Sequence, residues 1–330
     1  MRVVVDAMGG DEAPDVVIEG VKRFLADGYP STEVLLVGRQ TVLEDKCAGL
    51  PVTIVDAPEV VGMHESPSAA VKTKQKSSIA VAIQLLKEGR ADALLSMGNS
   101  GATVAFGVFL LGRMEHLRRP CIVAPMPRRT GYTLVLDVGA TVDCKPVNLI
   151  QFAAMGSVYC HHVFGVDQPK VGLISIGEEE SKGNDLTFAT AELLKKSPLH
   201  FIGNVEGNDV LSGKVDVAVC DGFLGNVILK FGEGFVELFA KTLKFETEEV
   251  LADDVDSEHR GALLKETMQR VDYTAYGGAL LLGLQGHCVI GHGRSNPTAI
   301  ANGIRAASEA AEKCPSSELQ KALNRVAFLC

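Results

Sequence analysis

VGLISIGEEESKGNDLTFATAELLK, residues 171–195, is the stretch whose reading decides the fold. Its apolar opening, residues 171–176, has the pattern of a buried strand. Residues 186–195 are amphipathic at helical spacing. Between them lies the turn Gly177-Glu178-Glu179-Glu180-Ser181-Lys182-Gly183-Asn184. In an open α/β sheet such strand-to-helix turns hold ligands, because helix N-termini and loops face the crevice at the strands' carboxyl ends. Gly177 and Gly183 let the backbone turn tightly or approach a ligand. Lys182 is a mobile cation beside three consecutive glutamates. The plainer reading is a solvated acidic turn with Asn184 or Asp185 as helix cap.

The same unit recurs along the chain. Residues 3–5 end at Asp6 and enter MGGDEAP; residues 33–37 and 52–55 continue the alternation. Residues 93–95 lead into Ser96-Met97-Gly98-Asn99-Ser100-Gly101 ahead of an apolar helix, whose start would suit a phosphate or be an ordinary Asn/Ser cap. Residues 121–127 and 132–137 read as a hairpin around Arg128-Arg129-Thr130-Gly131. Asp137 opens a further strand–loop–helix containing Lys145 and Asn148. Residues 200–202 precede a loop with Asn208, and residues 215–220 precede Asp221-Gly222-Phe223-Leu224-Gly225-Asn226. A glycine-rich apolar run, residues 277–290, ends at Gly291-His292-Gly293-Arg294. This alternation predicts a mostly parallel sheet with right-handed crossovers. The expected organisation is a single α/β domain over residues 1–330, with two lobes sharing strands as the alternative and a helical segment near 245–272.

Composition excludes several classes. A net charge of −9 argues against a nucleic-acid binder. The chain has no Trp and 5% aromatic residues, too few for base-stacking or carbohydrate platforms. Its eight cysteines form no CxxC pair, and several, such as Cys220 and Cys288, sit in apolar runs, as small core residues of a reducing compartment do. No Cys/His spacing fits a zinc site, so no metal is expected. The apolar stretch 147–166 is interrupted by Asn148, Gln151, His161 and His162 and reads as a core helix.

VVDAMGGDEAP, SMGNSGAT, LDVGATVDCKP, LISIGEEESKGND, NVEGND, VCDGFLGNV, DYTAYGGALLLG and IGHGRSN follow one another in this order. Together they resemble the bacterial phosphate acyltransferases (the PlsX family) from residue 1 to about 307. The resemblance implies a three-layer α/β/α fold like those of the isocitrate/isopropylmalate dehydrogenases and phosphotransacetylases. It implies a homodimeric cytoplasmic enzyme that moves a long fatty acyl chain from acyl carrier protein to inorganic phosphate. The acyl phosphate would feed glycerol-3-phosphate acylation in phospholipid synthesis, with a membrane glycerol-3-phosphate acyltransferase as a further partner. No cofactor and no nucleic acid is implied. The family's Ala-Gly-Asn-Thr-Gly loop is here Met97-Gly98-Asn99-Ser100-Gly101, which keeps the hydroxyl. Family members touch membranes through an apolar helical tip; here residues 246–259 are acidic, which shifts any peripheral attachment to 263–271.

That chemistry asks for a held phosphate, donors facing an oxyanion, and modest help to a good leaving thiolate. Asn99, Ser100 and Gly101 are the expected cradle and Lys182 the principal cation. Lys145 is its partner, with Asn148, Gly183 and Asn184 beside the phosphate. Asn208 and Asn226 are the expected amide donors, Asp221 the residue that orients them, and His292 the proton donor. Asp221 and Asn226 are equally readable as a turn and helix cap, and His292 as a solvated turn residue. Arg118 and Arg119, with Arg128 and Arg129, form the expected docking patch for an acidic carrier, Lys72, Lys74 and Lys76 being the alternative. The competing readings are a phosphotransacetylase-like enzyme using short acyl-CoA, a non-catalytic scaffold, and an NAD-dependent decarboxylating dehydrogenase. The last lacks both GxGxxG and an acid trio.

Overall fold

The computed structural model describes residues 1–28, 31–250 and 276–329. In the long helix it describes side chains as far as Phe239, with Lys241 and Thr242. The expected helical segment near 245–272 is seen only as the end of a helix reaching Val250, and residues 251–275 lie outside the described residues. The expected membrane-touching stretch 263–271 therefore lies outside them too.

One eleven-stranded sheet runs in the order β3-β2-β1-β4-β11-β10-β5-β6-β9-β7-β8. The first set is β1 (Arg2–Asp6), β2 (Glu33–Gly38), β3 (Val52–Asp56), β4 (Ala93–Ser96) and β11 (His287–Ile290), all mutually parallel. The second is β6 (Tyr132–Leu136), β7 (Val171–Ile174), β8 (Phe201–Val205) and β9 (Val217–Val219), also parallel. Between them, β10 (Ala279–Leu282) is antiparallel to β11 and to β5 (Cys121–Pro127), and β5 is antiparallel to β6.

Those reversals decide where the loops lie. Crossing β10 and then the β5–β6 hairpin inverts strand direction, so the two parallel sets present their carboxyl ends at opposite ends of the sheet. The loops after β1, β4 and β11 gather at one end. Those after β6, β7, β8 and β9 gather at the other. A single crevice collecting every glycine-rich turn, the simplest expectation from the alternation, is not what forms.

Helices cover both faces. Helices α1 (Asp15–Ala26), α6 (Pro146–Phe164), α7 (Asp185–Lys195), α10 (Pro297–Lys313) and α11 (Ser316–Val326) pack on the face carrying Val3, Val5, Leu95, Val123, Leu134 and Val219. Helices α3 (Pro67–Thr73), α4 (Ser78–Lys87) and α5 (Ser100–Phe106) lie on the face carrying Val4, Leu94, Ile122, Val135 and Ala218. α2 (Gln40–Lys46) follows β2, and the short α8 (Asp209–Ser212) follows β8. α9 (Gly222–Val250) begins at the end of β9 and runs over the second face, touching β5 and β6. At 1.5 Å per residue it is long enough to bridge from one set of loops toward the other. It carries an unburied apolar stripe, Phe223, Val227, Phe231, Phe235 and Leu238, at helical spacing, with Phe231 74% exposed. Among the described cysteines none is in a disulfide, and all but Cys144 are buried.

His287, at the start of β11, is 8% exposed, and burial lowers its pKa to about 4. The unfolded chain binds a proton there near pH 6.5, so this group's stabilising contribution is full above that pH and is lost as pH falls toward 4. Each pH unit of displacement is worth about 1.4 kcal/mol, giving roughly 3 kcal/mol in all. We expect His287→Leu to flatten the decline in urea-unfolding free energy between pH 7 and 4.5 by roughly 2–3 kcal/mol. Parallel curves for the two proteins would remove His287 from the acid sensitivity.

Candidate active site

A cavity of about 210 Å³ lies under α9, on the face of the sheet between the two sets of loops. Its floor is Ile122, Ala124 and Pro125 of β5 with Ala279 and Ile290 of the β10–β11 hairpin. One end is Val138 and Gly139, after β6, with Asn226 above them. The other end is Ser100, His292 and Ser295, with Lys230 and Glu233 of α9 in the wall. The walls are therefore mostly apolar, with a few polar groups at each end, which is the pattern of a small-molecule site.

His292 is held by its own turn. Its backbone N–H donates to Ser295 Oγ at 3.2 Å, and its Nδ1 accepts from the Arg294 backbone N–H at 3.2 Å. An Nδ1 that accepts leaves the proton on Nε2 in the neutral ring. Burial and then the Lys230 charge push the ring pKa below its usual value, while Glu233 and Asp11 act the other way. At neutral pH the site thus contains a neutral imidazole with an Nε2–H to donate. The donor this arrangement presents is the Nε2–H of an uncharged ring. Lys230 Nζ lies 2.7 Å from Glu233 Oε2, so the cation in the cavity wall is already paired.

The loops that shape the cavity are fixed by two buried carboxylates that pattern reading missed. Asp137 is fully buried and accepts the backbone N–H groups of Ile122 (2.8 Å), Gly139 (3.2 Å), Ala140 (3.0 Å) and Thr141 (2.6 Å). The nest of N–H groups in DVGAT therefore holds the protein's own carboxylate. Asp6 accepts Ser96 Oγ–H at 2.8 Å and the Met8 N–H at 3.2 Å, and burial raises its pKa. It ties the MGG turn to the SMGNSG turn. An Asp closing a strand was the available signal in both cases.

The structure brings together only part of the expected set. Ser100, Asn226 and His292 line the cavity. Asn99 does not act as a free donor: its Oδ1 accepts the Ala102 N–H as an N-cap, and its Nδ2 donates to the carbonyls of Gly62, Met63 and Glu65. It secures the connection after β3. Gly101 packs against Pro67, where a Cβ would come within 2.8 Å. Asn148 is buried and accepts the Lys145 N–H at 2.8 Å, while Lys145 is exposed at the start of α6. Asn184 caps α7 by accepting the Thr187 N–H, and Gly183 has φ 137° with no room for a Cβ beside Thr187. Asp221 Oδ1 accepts the Phe223 and Leu224 N–H groups, the cap of α9. Asn208 is exposed ahead of α8.

Lys182 is exposed on the loop after β7, outside the cavity wall. The neighbouring acids are drawn elsewhere: Glu178 pairs with Lys214 at 2.6 Å and Glu180 with Lys195 at 3.0 Å. Of the expected docking arginines, Arg118, Arg119 and Arg129 are exposed. Arg128 is a correction: it donates to the Val215 carbonyl and pairs with Asp216 at 3.0 Å, both side chains largely buried, so its charge holds the hairpin to β9. Lys74 is likewise committed, to Glu65 at 2.6 Å. Among the described residues no group of three or more His, Cys, Asp or Glu is placed to hold a metal ion.

A mixed sheet of this order, helices on both faces and a site on one face, is a phosphotransacetylase-like α/β fold. A phosphotransacetylase from Streptococcus pyogenes superposes with a TM-score of 0.61 at 16% identity, covering 94% of each chain. A branched-chain phosphotransacylase from Enterococcus faecalis V583 gives 0.61 at 12% identity, covering 95% of this chain and 99% of that one. A family model described as fatty acid synthesis protein matches residues 1–318. A relative from Geotalea uraniireducens, named phosphate acyltransferase, is 50% identical over 318 residues, covering 95% of this chain and 91% of the relative. The chain belongs to this fatty acid synthesis family of acyltransferases.

Proposed function

We propose that the chain transfers a long-chain fatty acyl group from acyl carrier protein to inorganic phosphate, releasing acyl phosphate for phospholipid synthesis. The observation that carries the reading is the cavity under α9, apolar along its floor and polar at both ends. A phosphate oxygen attacks the thioester carbonyl carbon, charge collects on the carbonyl oxygen, and the C–S bond breaks to release a thiolate that takes a proton from solvent. Phosphate dianion needs positioning, not a strong base. The Nε2–H of His292 is a neutral donor for the developing oxyanion, and Asn226 supplies an amide at the other end. Lys182, reaching from the neighbouring loop, would meet phosphate as it enters.

The test is direct. Purified protein, palmitoyl-acyl carrier protein and phosphate are incubated and the product identified by mass spectrometry as palmitoyl phosphate. Turnover with short acyl-CoA alone would favour a phosphotransacetylase-like enzyme, and no turnover with either would favour a scaffold.

Carrier docking gives a second check. Arg118 and Arg119 are exposed and adjoin Pro120, whose carbonyl accepts Thr141 Oγ1–H at 3.2 Å in the loop that walls the cavity. An acidic carrier docked there would deliver its prosthetic arm toward Gly139 and Asn226. Arg118→Glu/Arg119→Glu is expected to raise KM for the carrier about tenfold or more while activity on a small thioester survives. Equal loss on both substrates would reject docking at this patch.

We also read the chain as a cytoplasmic homodimer, supported by the apolar stripe on α9. No helix among the described residues is long and apolar enough to cross a membrane. Its product would be taken up by a membrane glycerol-3-phosphate acyltransferase.

A further inference from the structure

A second cavity, of about 400 Å³, lies on the opposite face of the sheet between α6 and α10. Tyr132, Tyr159, Phe164 and Tyr276 line it, with Val163 of α6 and Ala306 of α10. The rings form one cluster: Tyr132 meets Tyr276 edge-on at 4.8 Å, Phe164 lies 5.5 Å from Tyr132, and Tyr159 lies 6.0 Å from Phe164. Burial raises the Tyr159 pKa, as in a dry surrounding. The polar residues at one edge are Asn302, Arg305 and Glu309; Arg305 is committed to Asn302 and to Asp27, and Glu309 to Lys313 at 2.9 Å.

Pro125, Tyr276 and Gly278 line both this cavity and the one under α9. Tyr276 and Gly278 lie just ahead of β10, and Pro125 lies on β5 beyond its pairing with β10, which begins at Leu280 and Val123. Gly277 and Gly278 let the chain pack closely there, against the backbone of α10 and of β11 respectively. Gly277 and Gly278 have φ 70° and 154°, and a Cβ on Gly277 would fall 1.9 Å from the Gly303 nitrogen. The two cavities therefore adjoin across Pro125, Gly278 and the Tyr276 ring, which an acyl chain held under α9 meets as it extends from the reaction cavity.

We propose that the aromatic cavity between α6 and α10 holds the distal part of the acyl chain, led past Tyr276. The inference rests on the acyl-transfer reading given above. A methylene fills roughly the volume of a water molecule, about 30 Å³, so the cavity takes on the order of a dozen methylenes. That matches the tail of a long-chain acyl group once the thioester end lies under α9. A short chain ends before Tyr276 and gains nothing from the cavity.

The experiment compares palmitoyl- and octanoyl-acyl carrier protein on the wild type and on Ala306→Phe, which places a ring inside the cavity. The variant is expected to lose kcat/KM for palmitoyl on the order of tenfold or more and to keep it for octanoyl. In parallel, wild-type protein is irradiated with acyl carrier protein bearing a sixteen-carbon chain with a terminal diazirine (about the palmitoyl length). Label on peptides of α6 or α10 is expected. Equal loss on both chain lengths, or label confined to α9, overturns the proposal. If the wild type transfers neither acyl group, the functional reading fails, and the photolabel, which needs no turnover, still decides the cavity.

Discussion

Lys182→Met is expected to lower the rate of acyl phosphate formation by about 100–1,000-fold while leaving fold and assembly unchanged. Removing one preorganised donor from a charge-developing site typically has this cost. The case rests on what surrounds the side chain. Three glutamates precede Lys182, yet the described ion pairs send Glu178 to Lys214 and Glu180 to Lys195. The Lys182 backbone, in contrast, is fixed: its N–H donates to the Glu179 carbonyl, and its carbonyl accepts Ser175 Oγ–H and Asn204 Nδ2–H. A loop with a fixed backbone, carrying an exposed ammonium that forms none of the described ion pairs, is suited to an anion arriving from solvent. A surface lysine of no consequence would change stability by about half a kcal/mol or less and the rate not at all. The measurement is phosphate saturation as well as turnover, since loss of a phosphate contact appears in both. Near-normal saturation would sink the assignment and move the cation to Lys230. That lysine is paired with Glu233, so removing both as Lys230→Met/Glu233→Gln deletes a neutral pair and is expected to cost less than Lys182→Met.

Local features were the legible ones. The strand-to-helix units, the hairpin at Arg128–Gly131 and the core helix over 147–166 all appear, because each is written in short-range periodicity and turn chemistry. The plain readings of Asn184 and Asp221 as caps also hold in the structure. The reversal between the two parallel sets was not legible. It depends on β10 pairing with β5, a segment far away in the chain, as well as with its hairpin neighbour β11, and on strands of four residues among glycines. Consequently the turns of Asn99 and Lys182 looked alike and were assigned to one crevice, whereas they stand at opposite ends of the sheet. Lys230 and Glu233 were overlooked because an i,i+3 ion pair on a helix ordinarily reads as solvated surface. The signal that separates them is position: with Asn226 and Leu229 they lie on the side of α9 that faces the cavity, away from the exposed Phe223, Val227, Phe231, Phe235 stripe.

Gly225→Ala is expected to destabilise the protein by about 3 kcal/mol, at the upper end for overpacking a core. It should also remove most of the activity that survives folding. Gly225 lies in the first turn of α9, its N–H donating to the Asp221 carbonyl at 3.0 Å. A Cβ there would fall 1.9 Å from the Asp137 carbonyl oxygen and 3.0 Å from Cys220 Sγ. Neither can give way easily, since Asp137 is locked by four backbone N–H groups and Cys220 is buried. The helix start must therefore lift from the 137–141 loop, carrying Asn226 away from Gly139, beside which it now lies. Gly207 is the control. It too sits in a glycine-bearing strand-to-helix loop, but nothing lies within 4 Å of a Cβ built on it. Gly207→Ala should stay within about half a kcal/mol of the parent in urea unfolding. If Gly225→Ala unfolds at the same urea concentration as Gly207→Ala and retains full turnover, the close approach of α9 to the Asp137 loop is not what holds Asn226 at the cavity.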